Sequence, residues 1–134
     1  MKGTKAFSIS LGFISIAFGL LKFISPFKDW YAEQIKTSGL PQFMYAPGII
    51  GEIVTGISFL FPFTGYLNEK QSRILLMFAN ISLIILMIAA TAIHLIPDVP
   101  ARVLPLKIKP PIIPLMFLVA TIFNLMNTVN TMKK

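Results

Sequence analysis

Three ionisable residues stand out because they lie within or at the ends of strongly apolar runs: Lys22, Glu52 and His94. A charge in the hydrocarbon of a bilayer costs about 2.5–3.5 kcal/mol or more, so Glu52 needs a basic partner, a water-filled cavity or a proton. Lys22 is the candidate partner, although its long side chain has the alternative of reaching the headgroup region. Thr55 and Thr91 fall on the same helical faces as Glu52 and His94. The sequence predicts a Lys22–Glu52 ion pair, with these residues as candidates for ligand binding.

These residues form no complete catalytic set, and whether the protein is an enzyme stays open. A single histidine in a chain without cysteine argues against a zinc site. A Ser-His-Asp triad could be assembled only from unrelated serines, and no glycine-rich phosphate-binding motif is present. We therefore predict no catalytic residues and no metal ligands.

Four apolar runs must position these side chains. The chain has 134 residues, of which 55% are hydrophobic and 13% charged, whereas soluble domains carry about 25% charged residues. We predict an all-α fold, a single membrane domain over residues 1–134 that forms a bundle of four transmembrane helices. The helices are expected at about residues 6–24, 46–63, 74–96 and 112–129. Residues 28–38 are predicted either as a short helix in the membrane interface, with Trp30 and Tyr31 at headgroup level, or as a solvated loop.

Depth along the predicted helices brings the polar residues into two layers. Lys22 lies about four residues before Pro26 and Glu52 about six after Ala46, which places both roughly 6–9 Å below the same membrane surface. His94 lies near the end of the third helix on that side. Asn80 and Asn124 fall deeper and form a second, weaker polar layer.

The positive charge is distributed as membrane anchors. The formal net charge is +7, and the basic residues occur in ones and twos at the ends of apolar runs, which argues against nucleic acid as a partner. Four crossings place both termini on one side. That side carries six basic residues against five opposite, once intramembrane Lys22 is set aside, which favours cytoplasmic termini. The six are Lys2, Lys5, Lys70, Arg73, Lys133 and Lys134, and the five are Lys28, Lys36, Arg102, Lys107 and Lys109.

A resemblance to a known family rests on several short features. They are Gly19-x-x-Lys22, Pro26, Gly39-x-Pro41, Glu52 followed by Gly56, and Ala89-Ala90-Thr91 in the third helix. In combination they resemble the DoxX family of small four-helix membrane proteins. The resemblance implies a multi-pass protein of the plasma (inner) membrane with cytoplasmic termini. The family is named after a membrane subunit linked to thiosulfate oxidation with quinone as acceptor, and other members are associated with membrane complexes that handle oxidative stress. Without cysteine, this chain cannot use a persulfide or disulfide mechanism.

The resulting functional hypothesis is a subunit of a membrane redox system. It would bind a quinone, the candidate cofactor, or a similar amphiphile beside Lys22, Glu52 and His94, with the lipid bilayer and a redox protein as partners. One alternative is a lipid-binding or transport protein similar to the sterol-binding EXPERA proteins or the small multidrug transporters. Another is a purely structural membrane partner, in which the ion pair only fixes helix packing.

Overall fold

The computed structural model describes residues 2–132, with side chains from residue 3 to residue 131. The described chain forms five α-helices and no strand, so the predicted all-α class is confirmed. The helices are α1 (Lys2–Leu21), α2 (Phe27–Thr37), α3 (Tyr45–Leu60), α4 (Glu69–Leu95) and α5 (Ile112–Met132). Lys133 and Lys134, which entered the charge comparison, lie outside the described residues.

Four of the helices are long and apolar enough to cross a membrane: α1, α3, α4 and α5. Helix α3 alone is short for a span, and it gains length from 3₁₀ turns at Gln42–Met44 and Phe61–Phe63. The remaining helix, α2, occupies the segment for which the sequence left a helix or a loop open. It ends before Gly39, whose φ of +75° is a left-handed conformation that suits glycine after a helix.

Two helix ends differ from the sequence prediction. Helix α4 begins at Glu69 rather than Ile74, because the Asn68 side chain accepts from the backbone N–H of Gln71 at 2.9 Å while the Gln71 side chain accepts from the Asn68 N–H at 3.1 Å. This reciprocal cap satisfies the free donors of the first turn. Helix α1 ends at Leu21 rather than Ile24, so Lys22 lies just beyond the helix end.

The exterior of the bundle is apolar, and much of its interior is polar or small. Large side chains such as Phe13, Ile85 and Val119 are more than half exposed, which suits contact with lipid. On α1, a stripe formed by Ser8, Gly12, Ser15 and Gly19 is buried. Its small residues allow close approach of α3, the usual means of helix association in a bilayer.

The connection between α4 and α5 is rich in proline, which favours extended backbone, but it is folded into short turns. It contains 3₁₀ turns at Ala101–Val103 and Pro105–Lys107. Val99, Val103 and Leu104 are buried there, with Trp30 packed against them. Apolar burial against α2 therefore offsets the preference of proline for extended backbone. The connection covers one end of the bundle, the end at which Lys22 lies.

Candidate functional site

The centre of the site is an ion pair between Lys22 and Glu52. Lys22 Nζ lies 2.5 Å from Glu52 Oε1, and the two side chains are only 18% and 16% exposed. The predicted pair is thus present, and Lys22 turns inward instead of reaching out of the bundle. The pairing follows from the close contact of α1 and α3: a Cβ atom placed on Gly19 would lie 3.4 Å from the Glu52 Cβ. A larger residue at position 19 would separate the two chain segments.

Tyr31 of α2 completes this centre. Its ring centroid lies 4.4 Å from Lys22 Nζ, within range of a cation–π interaction. Its hydroxyl donates to the Tyr45 carbonyl oxygen at 3.1 Å. Gly48 leaves the space for this hydroxyl, since a Cβ on Gly48 would lie 1.9 Å from it. The sequence placed Tyr31 only at headgroup level and gave no signal for the role of Gly48.

Burial raises the pKa of Tyr31 from 10.0 to about 12. Electrostatic repulsion from Glu52 and, to a smaller extent, from Tyr45 adds to this increase. The folded protein therefore keeps this phenol neutral where the unfolded chain ionises it. The stability that this provides is complete below pH 10 and is lost as the pH rises toward 12. In an ultraviolet titration of tyrosinate absorbance, we expect Tyr31→Phe to remove the step near pH 12. Tyr66→Phe is the control, at a residue that is 84% exposed, and should retain that step. If the step near pH 12 remained in Tyr31→Phe, its assignment to Tyr31 would be wrong.

A cavity of about 410 Å³ opens beside the ion pair, within the bundle. Lys22, Tyr31, Glu52 and His94 all contribute to its wall, and most of the remaining lining is apolar. Lys22, Glu52 and His94, the three ionisable residues singled out in the sequence, therefore border the same cavity. The volume falls within the range of small-molecule sites.

His94 is buried and anchored through one ring nitrogen. Its Nδ1 lies 3.2 Å from the Lys109 carbonyl oxygen. Because a carbonyl oxygen can only accept, Nδ1 carries the hydrogen in this contact, and the neutral ring has Nε2 as an acceptor. Lys109 itself donates to the Ile96 and Val99 carbonyl oxygens, both at 2.5 Å, near the end of α4. The connection between α4 and α5 thus fixes the orientation of the His94 ring.

One oxygen of the site has no partner within the described residues. Glu52 Oε2 is buried and accepts no hydrogen bond, while Oε1 is bound to Lys22. The lysine ammonium has three N–H donors, of which the bond to Glu52 uses one. An acceptor and a donor therefore lie side by side in largely apolar surroundings. A buried unpartnered carboxylate oxygen is costly, and a ligand hydroxyl would relieve that cost.

The two threonines proposed for the site lie elsewhere. Neither Thr55 nor Thr91 belongs to the cavity lining. The Thr91 hydroxyl donates to the Met87 carbonyl oxygen of its own helix at 2.8 Å, and Thr55 is buried in α3. Shared helical spacing predicted a common face but not whether that face borders the cavity.

The second polar layer is a hydrogen-bonded cluster across three helices. Asn124 Nδ2 donates to Asn80 Oδ1 and to Ser8 Oγ, each at 3.0 Å. Asn80 in turn donates to the Leu76 carbonyl oxygen at 2.7 Å. The asparagines come together as the sequence predicts, and Ser8 joins them. The cluster ties α1, α4 and α5 together at a distance from the ion pair.

We expect Asn124→Ala to lower the free energy of unfolding by about 1–2 kcal/mol, because hydrogen bonds between membrane helices contribute about 0.6 and at most about 1.7 kcal/mol each and Asn124 makes two. Reversible unfolding in mixed detergent micelles measures this. Asn130→Ala, at an exposed position of the same helix, is the control and should be neutral. Equal stability of the two variants would show that the cluster contributes nothing.

No model of a known protein family, curated protein or solved structure matches this chain. Within residues 2–132, no group of three or more histidine, cysteine, aspartate or glutamate residues could hold a metal ion. The side chains at the cavity can donate and accept hydrogen bonds and can exchange protons with a bound molecule.

Proposed function

We propose that this protein binds the head group of a quinone, or of a similar amphiphile, in the cavity beside Lys22 and Glu52, as the membrane subunit of a redox system. The observation that carries the proposal is a buried ion pair with one unpartnered oxygen at the wall of an otherwise apolar cavity, between helices able to cross a membrane. Ligand sites commonly combine an apolar enclosure with a few polar groups that fix orientation.

The chemistry of the two quinone states fits these groups. A quinone carbonyl accepts hydrogen bonds, which the Lys22 ammonium supplies, while a quinol hydroxyl donates, which Glu52 Oε2 accepts. The apolar walls suit the ring. Reduction of the quinone needs two electrons and two protons, and the electrons must come from a partner protein. The proposed role of this chain is to hold the head group and to place a carboxylate and an imidazole within the same cavity.

The resemblance to the DoxX family supports the same proposal, as an expectation drawn from short motifs. With it come the finer features of location: the plasma membrane, and both termini in the cytoplasm. Fusion of a cytoplasm-specific reporter to either end tests the orientation. We expect the reporter to be active at both ends. Activity at neither end would place both termini on the opposite side of the membrane.

The test of the proposal compares two matched carboxylate variants. A benzoquinone with a decyl tail should raise the midpoint of thermal unfolding of the wild-type protein in lipid nanodiscs. We expect Glu52→Gln to fold, because Lys22 can then extend to the surface. It should bind the quinone about tenfold more weakly, because the ammonium that donates to the quinone carbonyl leaves the cavity with Lys22. Glu69→Gln is the control, since Glu69 pairs with Arg73 on the exposed start of α4. Equal quinone responses in all three proteins would remove the proposal.

Cation transport is the less favoured alternative, because Lys22 already neutralises Glu52 and leaves no net negative charge at the cavity. A proton-coupled flux assay in liposomes separates the two. Substrate-dependent flux that is lost in Glu52→Gln would favour transport over a redox role.

A further inference from the structure

A second, larger cavity lies between α1 and α5. It has a volume of about 890 Å³ and is lined by these two helices, α2 and the connection before α5. Because α1 and α5 are both candidate membrane spans, a gap between them opens toward the hydrocarbon. Exposed apolar side chains line it, including Met116 and Ile112, which are 65% and 51% exposed. We call this space the α1–α5 cleft.

The cleft continues into the site. Lys22 and Tyr31 belong to the lining of both the cleft and the inner cavity. So do Phe18 of α1 and Phe117 of α5, whose rings meet edge to face with centroids 6.1 Å apart. These two rings bridge the helices where the two spaces adjoin. They form a constriction that rotation of an aromatic side chain can widen.

Most polar side chains along the cleft already have a partner. Ser10, Tyr31 and Gln34 each donate to a backbone carbonyl oxygen of the protein. The remaining donors in the lining are the indole N–H of Trp30 on α2 and, at the inner end, the Lys22 ammonium, which uses one N–H for Glu52. The cleft therefore offers mainly apolar contact along its length and a charged hydrogen-bond donor at its inner end. This is the arrangement that an amphiphile with a polar head and an apolar tail requires.

We propose that the α1–α5 cleft is the lateral entrance to the site, and that it holds the apolar tail of the ligand while the head group lies beside Lys22 and Glu52. This inference rests on the proposed function and adds to it the route of entry and the requirement for a tail. The ligand enters from the bilayer between α1 and α5, passes Phe18 and Phe117, and needs no path through water. The cleft spans from Phe7 to Lys22, about 20 Å along α1.

The experiment fills the cleft without touching the ion pair. Ala120 of α5 lines the cleft, and Ala120→Phe places a ring in it. Val119→Phe is the matched control, because Val119 is the adjacent residue, is 67% exposed and is not part of either lining. The full-length proteins in nanodiscs are titrated with a decyl-tailed benzoquinone and with the same ring without a tail. Quenching of Trp30, the sole tryptophan and part of the cleft lining, reports binding.

We expect Ala120→Phe to weaken binding of the decyl-tailed probe about tenfold, through loss of apolar contact with the tail, and to leave the tail-free probe unaffected. Val119→Phe should change neither. Unchanged affinity of Ala120→Phe for the tailed probe would overturn the inference, while the proposed function would stand if Glu52→Gln still weakened both probes. Failure of wild-type protein to bind either probe would overturn both.

Two other occupants of the cleft are distinguished in the same preparations. Nanodiscs with brominated phospholipid chains test for a resident lipid. Bromine quenching of Trp30 that Ala120→Phe relieves, without any quinone binding, would assign the cleft to a phospholipid chain. A change in the number of copies per particle in Ala120→Phe but not Val119→Phe, measured by light scattering in detergent, would assign it to a second copy of this chain. Either result would overturn the assignment to the ligand tail.

Discussion

Lys22→Met is expected to lower the free energy of unfolding by about 3 kcal/mol, because Glu52 would remain in apolar surroundings without its counter-ion. This loss of stability is at the lower end of the range for breaking a buried ion pair, because both side chains keep some exposure. The side chain of glutamate is shorter than that of lysine, so Glu52 cannot extend to the membrane surface as Lys22 can. Removing Lys22 should therefore cost more than removing the charge of Glu52. Unfolding equilibria in mixed micelles give both values.

A double-mutant cycle separates the ion pair from simple loss of packing. Lys22→Met combined with Glu52→Gln should recover most of the stability lost in Lys22→Met, because no unpaired charge remains. Lys28→Met, at an exposed lysine nearby in the chain, is the control and should be neutral. Additive single effects would show that the pair is not coupled. Strong coupling in stability, together with wild-type quinone binding in the double variant, would favour the purely structural interpretation of the pair.

The fold class and the ion pair could be predicted from the sequence because both depend on simple quantities. Hydropathy over about 20 residues marks a span, whatever the contacts of its individual side chains. Depth follows from counting residues at a constant rise, and Lys22 and Glu52 sit at similar counts from the same surface. The prediction held although α1 ends one residue before Lys22, since a lysine side chain is long enough to absorb a shift of one turn.

Other parts of the site depend on contacts that periodicity does not encode. Tyr31 reaches Lys22 because Gly48 leaves space for its hydroxyl, and nothing in the local sequence of α2 indicates that geometry. The connection folds because Val103 and Leu104 are buried against α2. The prolines in the same segment indicate extended backbone, so the sequence gives no sign of this burial. The start of α4 was different: Asn68 and Gln71 form a recognisable capping signal, although the helix was predicted to begin only at about residue 74.

The polar layers and the cleft indicate that closely packed and loosely packed parts of the bundle have different roles. The cluster of Ser8, Asn80 and Asn124 joins α1 to α4 and α5 away from the site. The small residues of α1 hold it against α3, where the ion pair forms. Beyond that cluster, α1 and α5 meet through the rings of Phe18 and Phe117 and border the open space of the cleft. Closely packed elements therefore position the charges, while the loosely packed pair of helices is the part able to admit a ligand.

Gly56→Ala tests the close contact of α1 and α3, and we expect it to destabilise the protein by about 2–3 kcal/mol through overpacking. A Cβ on Gly56 would lie 2.7 Å from the Gly12 carbonyl oxygen and 2.9 Å from the Ile16 backbone nitrogen. Backbone atoms cannot rotate away, so the helices must separate, and this outweighs the gain of about 1 kcal/mol from replacing a helical glycine.

Gly51→Ala, in the same helix, is the control for that variant. Its Cβ would meet only the side chain of Leu86, with Cδ2 at 3.4 Å and Cδ1 at 3.9 Å, which are ordinary contact distances, so we expect equal or slightly higher stability. The separation caused by Gly56→Ala should also reach the site, because Glu52 lies one turn away on α3 and its partner Lys22 follows α1. Quinone binding should therefore weaken in Gly56→Ala and remain unchanged in Gly51→Ala. If the two variants were equally stable, α1 and α3 would not be in backbone contact at Gly56, and the ion pair would have to be positioned by α2 instead.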